Sequence, residues 1–545
     1  MNLSDPVLLA VLWTRLQSVV DEAATVLMRT AFSSIVRDSR DFTVVLTDPT
    51  GVGLIQTKQG VGALGPAVGV TTRAALETFP LESWSPGDVV MTNDPWIAAG
   101  HAGDVATITP LFRKGRCIGF VSVAAHVPDI GGRLAPSDAK EVYEEGIIFP
   151  PMHLMRQGKP LPQIVRLIEK NVRIPDQVMG DIFAQVSSAR LCDTRLMQIL
   201  DEYGLDDLAD LGRIILDRSE RAVRDTIAAM PDGSYSDEVV TDGFSTPLTI
   251  RTTVTIKGEE MLVDFAGTSD QVAAGINSVL NYTRSYSHYT LKCLLDPSGP
   301  NNDGAMRPVT VTAPEGSLMN ARYPAPVYAR SQSGHYIGSL LMSALAPAAP
   351  DRVIAGCGSP SNRTVFNGRR ADGKSYSFLL FTSGGLGARS TKDGLPATPF
   401  PSNTGGAPVE SMERETDLVV RQKSLEADTG GDGKYRGGLG MKLAIENTNA
   451  AEVRLSIRMD RLNTGAGGLF GGGEGGKSDL LLNGKRGTIA TKGASVFKPG
   501  DVLTIVTPGG GGYGPVAERD ATAHAADLDA GYISNTTEEN TNARG

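Results

Sequence analysis

A chain of 545 residues exceeds what one hydrophobic core serves, so its length predicts two to four domains. Apolar residues make up 41% and charged residues 21%, the balance of a globular protein with a large core. A net charge of -9 without a basic stripe excludes nucleic acid and an anionic membrane as main partners.

From the N-terminus, Ser4 or Asp5 caps a helix predicted over residues 5–32, with Pro6 in its first turn. Leu9, Leu12, Leu16, Val19, Val20, Ala23, Val26 and Leu27 repeat at three and four. The segment lacks a basic n-region, carries Asp5, and has an apolar run too short to span a bilayer. It therefore reads as neither signal peptide nor membrane anchor. Cys117, Cys192, Cys293 and Cys357 lie far apart without a C-x-x-C pair, which fits a reducing compartment and predicts a cytoplasmic protein. A strand pair follows, Phe42–Thr47 and Gly53–Gln56, turned at Asp48-Pro49-Thr50-Gly51. It places Asp41 at a strand end, where a ligand or a salt bridge to Arg37 or Arg40 would both be ordinary. A second helix is predicted over 63–79, and the turn 85–88 feeds a strand at Val89-Val90-Met91. Asp88 and Asp94 fit turn capping better than a role beside a metal ligand.

Two His-x-x-Asp units come next, His101 with Asp104 and His126 with Asp129. Imidazole and carboxylate together suit borderline divalent ions such as Zn, Mn or Fe(II). Gly100 and Gly103 loosen the backbone around His101, and Val105–Thr109 and Cys117–Ala125 read as strands joined by a turn at 113–116. Such a hairpin brings the His101 and His126 ends together. The plainer alternative is a pair of histidines hydrogen-bonded to backbone beside turns.

The order of these residues resembles the N-terminal signature of the hydantoinase B/oxoprolinase family: Asn93, Asp94, Pro95 and Trp96 before His101 and Asp104, then Ala125, His126, Asp129, Ile130, Gly131 and Gly132. The resemblance implies that His101, Asp104 and His126 bind a divalent metal, with an early Asp, by position Asp41, completing the set. Many oxoprolinase-like members carry a second His directly after the first in the later unit; here Val127 stands there.

Beyond Gly132, Glu144 to Pro151 resembles the family's E-E-G-x-x-x-P-P run and is a candidate lip of the site. Residues 161–230 read as helices, interrupted at Asn171–Pro175. From Gly233 the period changes to two, with strands at Tyr235–Val240, Thr249–Lys257 and Glu260–Phe265. A helix over 276–294 carries His288 among tyrosines, which suggests packing. Tyr323 to His335 resembles the family's N-x-P-A-P-V-x-A-R segment. In it Arg330 and Ser331 are placed to hold an anion or to clamp structure, and His335 to act as general acid or base or to sit satisfied at a helix start. The glycine runs 430–440, 465–476 and 508–514 contain no G-x-x-x-x-G-K-[ST], so tight turns and bulges of a β-rich region are expected there rather than a phosphate cradle. The tail is acidic and polar, and reads as partly disordered.

The expected fold is α+β and multidomain: an N-terminal α/β metal-binding region (1–160), a helical scaffold (161–230), a β-rich, glycine-dense region (231–515) and a polar tail (516–545). The resemblance, over roughly residues 1 to 515, implies the B-type subunit of an ATP-dependent hydrolase of cyclic amides. A partner A-type subunit, an actin/hexokinase-like ATPase using ATP and Mg, would phosphorylate the substrate. Asp129 is then a candidate to orient His126 or act as general base. The alternative is a subunit of an acetone- or acetophenone-carboxylase-like enzyme, which carboxylates an enol phosphate with bicarbonate.

Overall fold

The computed structural model describes residues 5–534. Its first helix runs Pro6–Thr30, started by the Asp5 carboxylate, which accepts the Val7 and Leu8 amides, and by Pro6 at the first position. The predicted apolar stripe from Leu9 to Leu27 is buried, apart from a half-buried Val26. It packs on the helix Pro175–Glu202 and on the first sheet.

That sheet contains β1 (Phe42–Thr47), β2 (Gly53–Gln56), β3 (Val89–Thr92), β4 (Asp104–Arg113), β5 (Arg116–His126), β6 (Met152–Arg156) and β7 (Lys159–Pro160), in the order β2-β1-β5-β4-β3-β6-β7. Each neighbouring pair is antiparallel. The predicted hairpin is present and longer than its apolar runs. Most of β4 and β5 is buried because helices cover both faces. Leu64–Thr78 covers one, where Val68 meets Val45, Ala106 and Ala124. Pro6–Thr30 and Pro175–Glu202 cover the other, against Val44, Leu46, Val121 and Val123.

A second sheet, ordered β11-β10-β9-β8, holds β8 (Gly233–Thr241), β9 (Leu248–Lys257), β10 (Glu260–Asp264) and β11 (Val309–Thr312). β10 and β11 are parallel, and the crossover between them carries the helix Leu280–Leu295. The remaining strands are β12 (Asn362–Arg369), β13 (Ser375–Thr382), β14 (Leu418–Leu425), β15 (Met441–Asn447), β16 (Val453–Arg458), β17 (Asp479–Leu482), β18 (Lys485–Arg486), β19 (Lys492–Phe497) and β20 (Val502–Val506). They form two sheets, β13-β12-β16-β19 and β14-β15-β20-β17-β18. Phe366, Phe378 and Leu455 of one share a core with Leu443, Ile445 and Leu503 of the other. The opposite face of β12 and β13 turns Val365, Leu379 and Phe381 toward Ile35, Val127 and Ile130 of the N-terminal region. The site lies along this seam.

The architecture is α+β with several sheets, as expected. Two local expectations are corrected. The glycine runs are not chiefly tight turns: they lie main chain against main chain, with the Gly438 amide donating to Leu386 O (2.8 Å) and the Gly510 amide to Gly438 O (2.9 Å). A Cβ at Gly438 would stand 2.1 Å from Leu395 O, and one at Gly510 2.2 Å from Leu386 O, so no side chain fits. Within the expected polar tail, Ala521–Asp529 is a helix capped by Asp520. Its Asp527 carboxylate accepts two hydrogen bonds from Arg436, at 3.1 and 3.2 Å. Residues 535–545 of that tail lie outside the described residues. Among the described residues, no helix is long and apolar enough to cross a membrane.

Candidate metal centre

Strand pairing builds the site. In the β4–β5 ladder Asp104 stands opposite His126, the Val127 amide donates to Gly103 O (2.9 Å), and the His126 amide donates to Asp41 O (3.0 Å). His101 sits three residues before Asp104, in the loop that opens β4. The Asn93 amide group fixes this loop by donating to Ala102 O (2.8 Å) and Ile147 O (2.9 Å), while its oxygen accepts from the Phe149 amide (2.6 Å). Asp94 and Asp88 cap turns, as expected: Asp94 accepts from the Trp96 amide, Asp88 from the Ser85 and Gln157 amides.

His101, Asp104 and His126 converge, with one ligating atom from each lying within 4.8 Å of the others. All three are buried. The imidazoles stack with centroids 5.0 Å apart, and His126 Nδ1 lies 2.8 Å from Asp104 Oδ1. His101 Nδ1 lies 3.0 Å from Tyr328 O. A carbonyl only accepts, so that nitrogen carries the proton and Nε2 presents a lone pair. Nε2 stands 2.9 Å from Asp104 Oδ1, yet has no hydrogen-bond partner. Two acceptors facing each other in a buried site need a proton or a cation between them, and the donor set of two imidazoles and a carboxylate fits a divalent metal. Gly103 keeps the space open, because a Cβ there would fall 2.7 Å from His126 Cε1 and 3.0 Å from His101 Cε1.

The protonation states agree. Burial, aided by the nearby Arg330 charge, pushes His101 down to about 3, so its imidazole is neutral. Burial works against the charge on Asp104, but the Arg330 ion pair and the hydrogen bond to His126 outweigh it and hold the carboxyl well below its usual range. Arg330 donates from Nη2 to Asp104 Oδ2 (2.7 Å) and from Nε to Ala99 O (2.6 Å), and stacks 4.4 Å from the Tyr282 ring centroid. Of the readings sequence leaves open for it, the clamp is the one observed, although Nη1 stays free.

The other expected residues take different places. Asp41 is buried beside the cluster through its main chain, and its carboxylate is not one of the three converging groups. Burial and then the Asp104 charge push its pKa up. The salt bridge to Arg37 is not formed: Arg37 pairs with Asp38 (3.1 Å) and Glu415 (2.8 Å). Asp129 does not orient His126, because Asp104 holds that place. Asp129 instead binds Arg173 Nη1 (2.6 Å), the Arg173 amide and the Gly131 amide. His335 is fully buried and stacks 5.2 Å from Tyr286, and neither ring nitrogen has a partner, so it is not a satisfied helix-start histidine. Burial, then Arg363 and Arg330, hold it well below its usual range.

Glu145 has a role that sequence places only loosely at a lip. Its Oε1 accepts the Val327 (2.6 Å) and Tyr328 (2.8 Å) amides, fixing the carbonyl that holds His101. Burial pushes this carboxyl up to about 8.

Residues 5–516 match the family model described as Hydantoinase B/oxoprolinase. A putative D-/L-hydantoinase subunit of Pseudomonas sp. (strain NS671) is 32% identical, covering 97% of this chain and 93% of that protein. The crystal structure of an ATP-dependent caprolactamase from Pseudomonas jessenii superposes with a TM-score of 0.89 at 26% identity, over 98% of this chain and 95% of that one. A nucleotide-free acetone carboxylase structure superposes with a TM-score of 0.86 at 20% identity, over 97% of this chain and 78% of that one, a likeness of fold.

Proposed function

From the premise that this chain belongs to the hydantoinase B/oxoprolinase family, we propose that it is the metal-bearing B-type subunit of an ATP-dependent hydrolase acting on a cyclic amide. The observation that carries this is the buried His101–Asp104–His126 cluster with its unpartnered Nε2. An unstrained amide resists water, and transfer of a phosphoryl group to its oxygen makes the carbon electrophilic. A partner A-type ATPase subunit supplies that step with ATP and Mg. The glycine runs of this chain are already packed against one another, which supports placing ATP elsewhere.

A divalent ion, Zn, Mn or Fe, held by His101, Asp104 and His126 would supply Lewis acidity and acidify water beside the activated amide. Arg330 holds Asp104 ionised and in place, Tyr328 O fixes the His101 tautomer, and Glu145 fixes Tyr328. Asp41, one residue before β1, is the group we assign to complete the ligand set. His335, with both ring nitrogens unpartnered, is the group we assign as general acid or base, a role in which it takes up a proton against the burial and the Arg363 and Arg330 charges that hold it neutral. Asp129 shapes the turn after His126 through Arg173. The free state of all four cysteines supports a cytoplasmic location.

A second reading, carboxylation of an enol phosphate formed from a ketone, is favoured by Val127 in place of the second His. One experiment separates the two. The chain co-purified with its ATPase partner is given ATP, Mg and panels of cyclic amides and ketones, with and without bicarbonate. Phosphate release driven by a cyclic amide and indifferent to bicarbonate is expected; product from a ketone only with bicarbonate would replace the hydrolase by a carboxylase. Phosphate release with neither class would end both readings.

A further inference from the structure

We propose that Arg363 and Arg458 form a buried receptor for the phosphoryl group of the activated substrate, on the sheet face turned toward the metal centre. The proposal rests on the reading that this substrate arrives phosphorylated.

The two arginines are direct register partners on the antiparallel strands β12 and β16, so their side chains leave the same face next to each other. Like charges in that position repel, and burial removes the water that would screen them. Arg363 is 5% exposed and Arg458 0%. Among the described residues neither has an ion pair, and Arg458 Nε, Nη1 and Nη2 and Arg363 Nε all lack a hydrogen-bond partner. They rest on ring faces instead, Arg458 5.5 Å from the Tyr328 centroid and Arg363 5.1 Å from that of Phe381. Desolvation, followed by repulsion from Arg363, pushes Arg458 down to about 9. The Asp41 carboxylate acts on both guanidinium groups from a distance without pairing with either, so two positive charges side by side in the interior leave a place for a further anion.

The place adjoins the metal centre. Ser456, on the same face, donates to Ala135 O (2.7 Å), and Val365 packs with Val127 and Ile130 directly after His126. Tyr328 lies beneath Arg458 and holds His101 through its carbonyl. Arg330, whose Nη1 has no partner, is close enough to act electrostatically on Arg458. The number of donors selects the ligand. One guanidinium fork satisfies a carboxylate or bicarbonate, whereas two neighbouring guanidinium groups match a phosphoryl dianion with three free oxygens.

The test uses the full chain with its metal and inorganic phosphate as probe, read by thermal unfolding over a phosphate titration. Phosphate is expected to raise the wild-type melting temperature, with half-saturation shifted upward by about tenfold or more in Arg458→Met and, separately, Arg363→Met. Metal content is expected to stay at the wild-type level in both. Bicarbonate stabilising as well as phosphate, or both variants responding to phosphate like wild type, would overturn the receptor. Turnover with the ATPase partner separates the two claims. Normal ATP-dependent amide hydrolysis with phosphate binding indifferent to both arginines removes the receptor and leaves the function. Arginine-dependent phosphate binding in a chain without such turnover keeps the receptor and removes the function.

Discussion

A methyl group at Gly103 has nowhere to go, since it would meet carbon atoms of both imidazoles at 2.7 and 3.0 Å. Gly103→Ala is therefore expected to push His101 and His126 apart and to lower metal affinity by about tenfold or more, measured by competition with a chelating dye. Glu145 gives a prediction of a different kind. Its folded pKa, about 8, lies above the ordinary carboxyl value, so the stability it contributes is complete below about pH 4.5 and is lost as pH rises through 8. Glu145→Gln keeps an oxygen for the Val327 and Tyr328 amides. Its melting temperature should fall less than that of wild type between pH 6 and 9; parallel curves would contradict the assignment. Sequence shows His101, Asp104 and His126 because their spacing is local. The same spacing misleads at Asp129: Asp104 lies in a strand paired with His126, whereas Asp129 lies past the strand end, where Arg173 takes it. Arg363 and Arg458 leave no trace in sequence, because their meeting depends on the register of strands about ninety residues apart.

Periodic elements are the legible ones. The first helix, the β1–β2 pair and the β4–β5 hairpin follow from apolar spacing and turn residues, the β1–β2 pair with its expected bounds and the other two displaced by a few residues. The glycine segments have neither period, so their packing is invisible until partners distant in sequence are in place. That packing is unforgiving. Gly438→Ala would drive a carbon into Leu395 O and the Leu386 amide, and is expected to destabilise the chain by more than about 4 kcal/mol. Thermal unfolding checks this, and a melting temperature within a degree or two of wild type would contradict it.

Across the whole molecule, the N-terminal region supplies His101, Asp104 and His126, and residues 327–335 return from the second half to hold them. Arg330 joins the halves at Asp104, and Tyr328 O joins them at His101. Breaking the buried Arg330–Asp104 pair by Arg330→Met is expected to cost about 3–5 kcal/mol and to reduce metal retention. Neither half should hold the ion alone, and the signature near residue 100 is expected to function only in the assembled fold. The most direct measurement is the metal content of the purified chain after dialysis, wild type beside His126→Ala. About one divalent ion per wild-type chain and little in the variant is the expected result. Equal, near-zero content in both would mean that His101, Asp104 and His126 form only a hydrogen-bonded cluster, and the proposed hydrolysis would lose its centre.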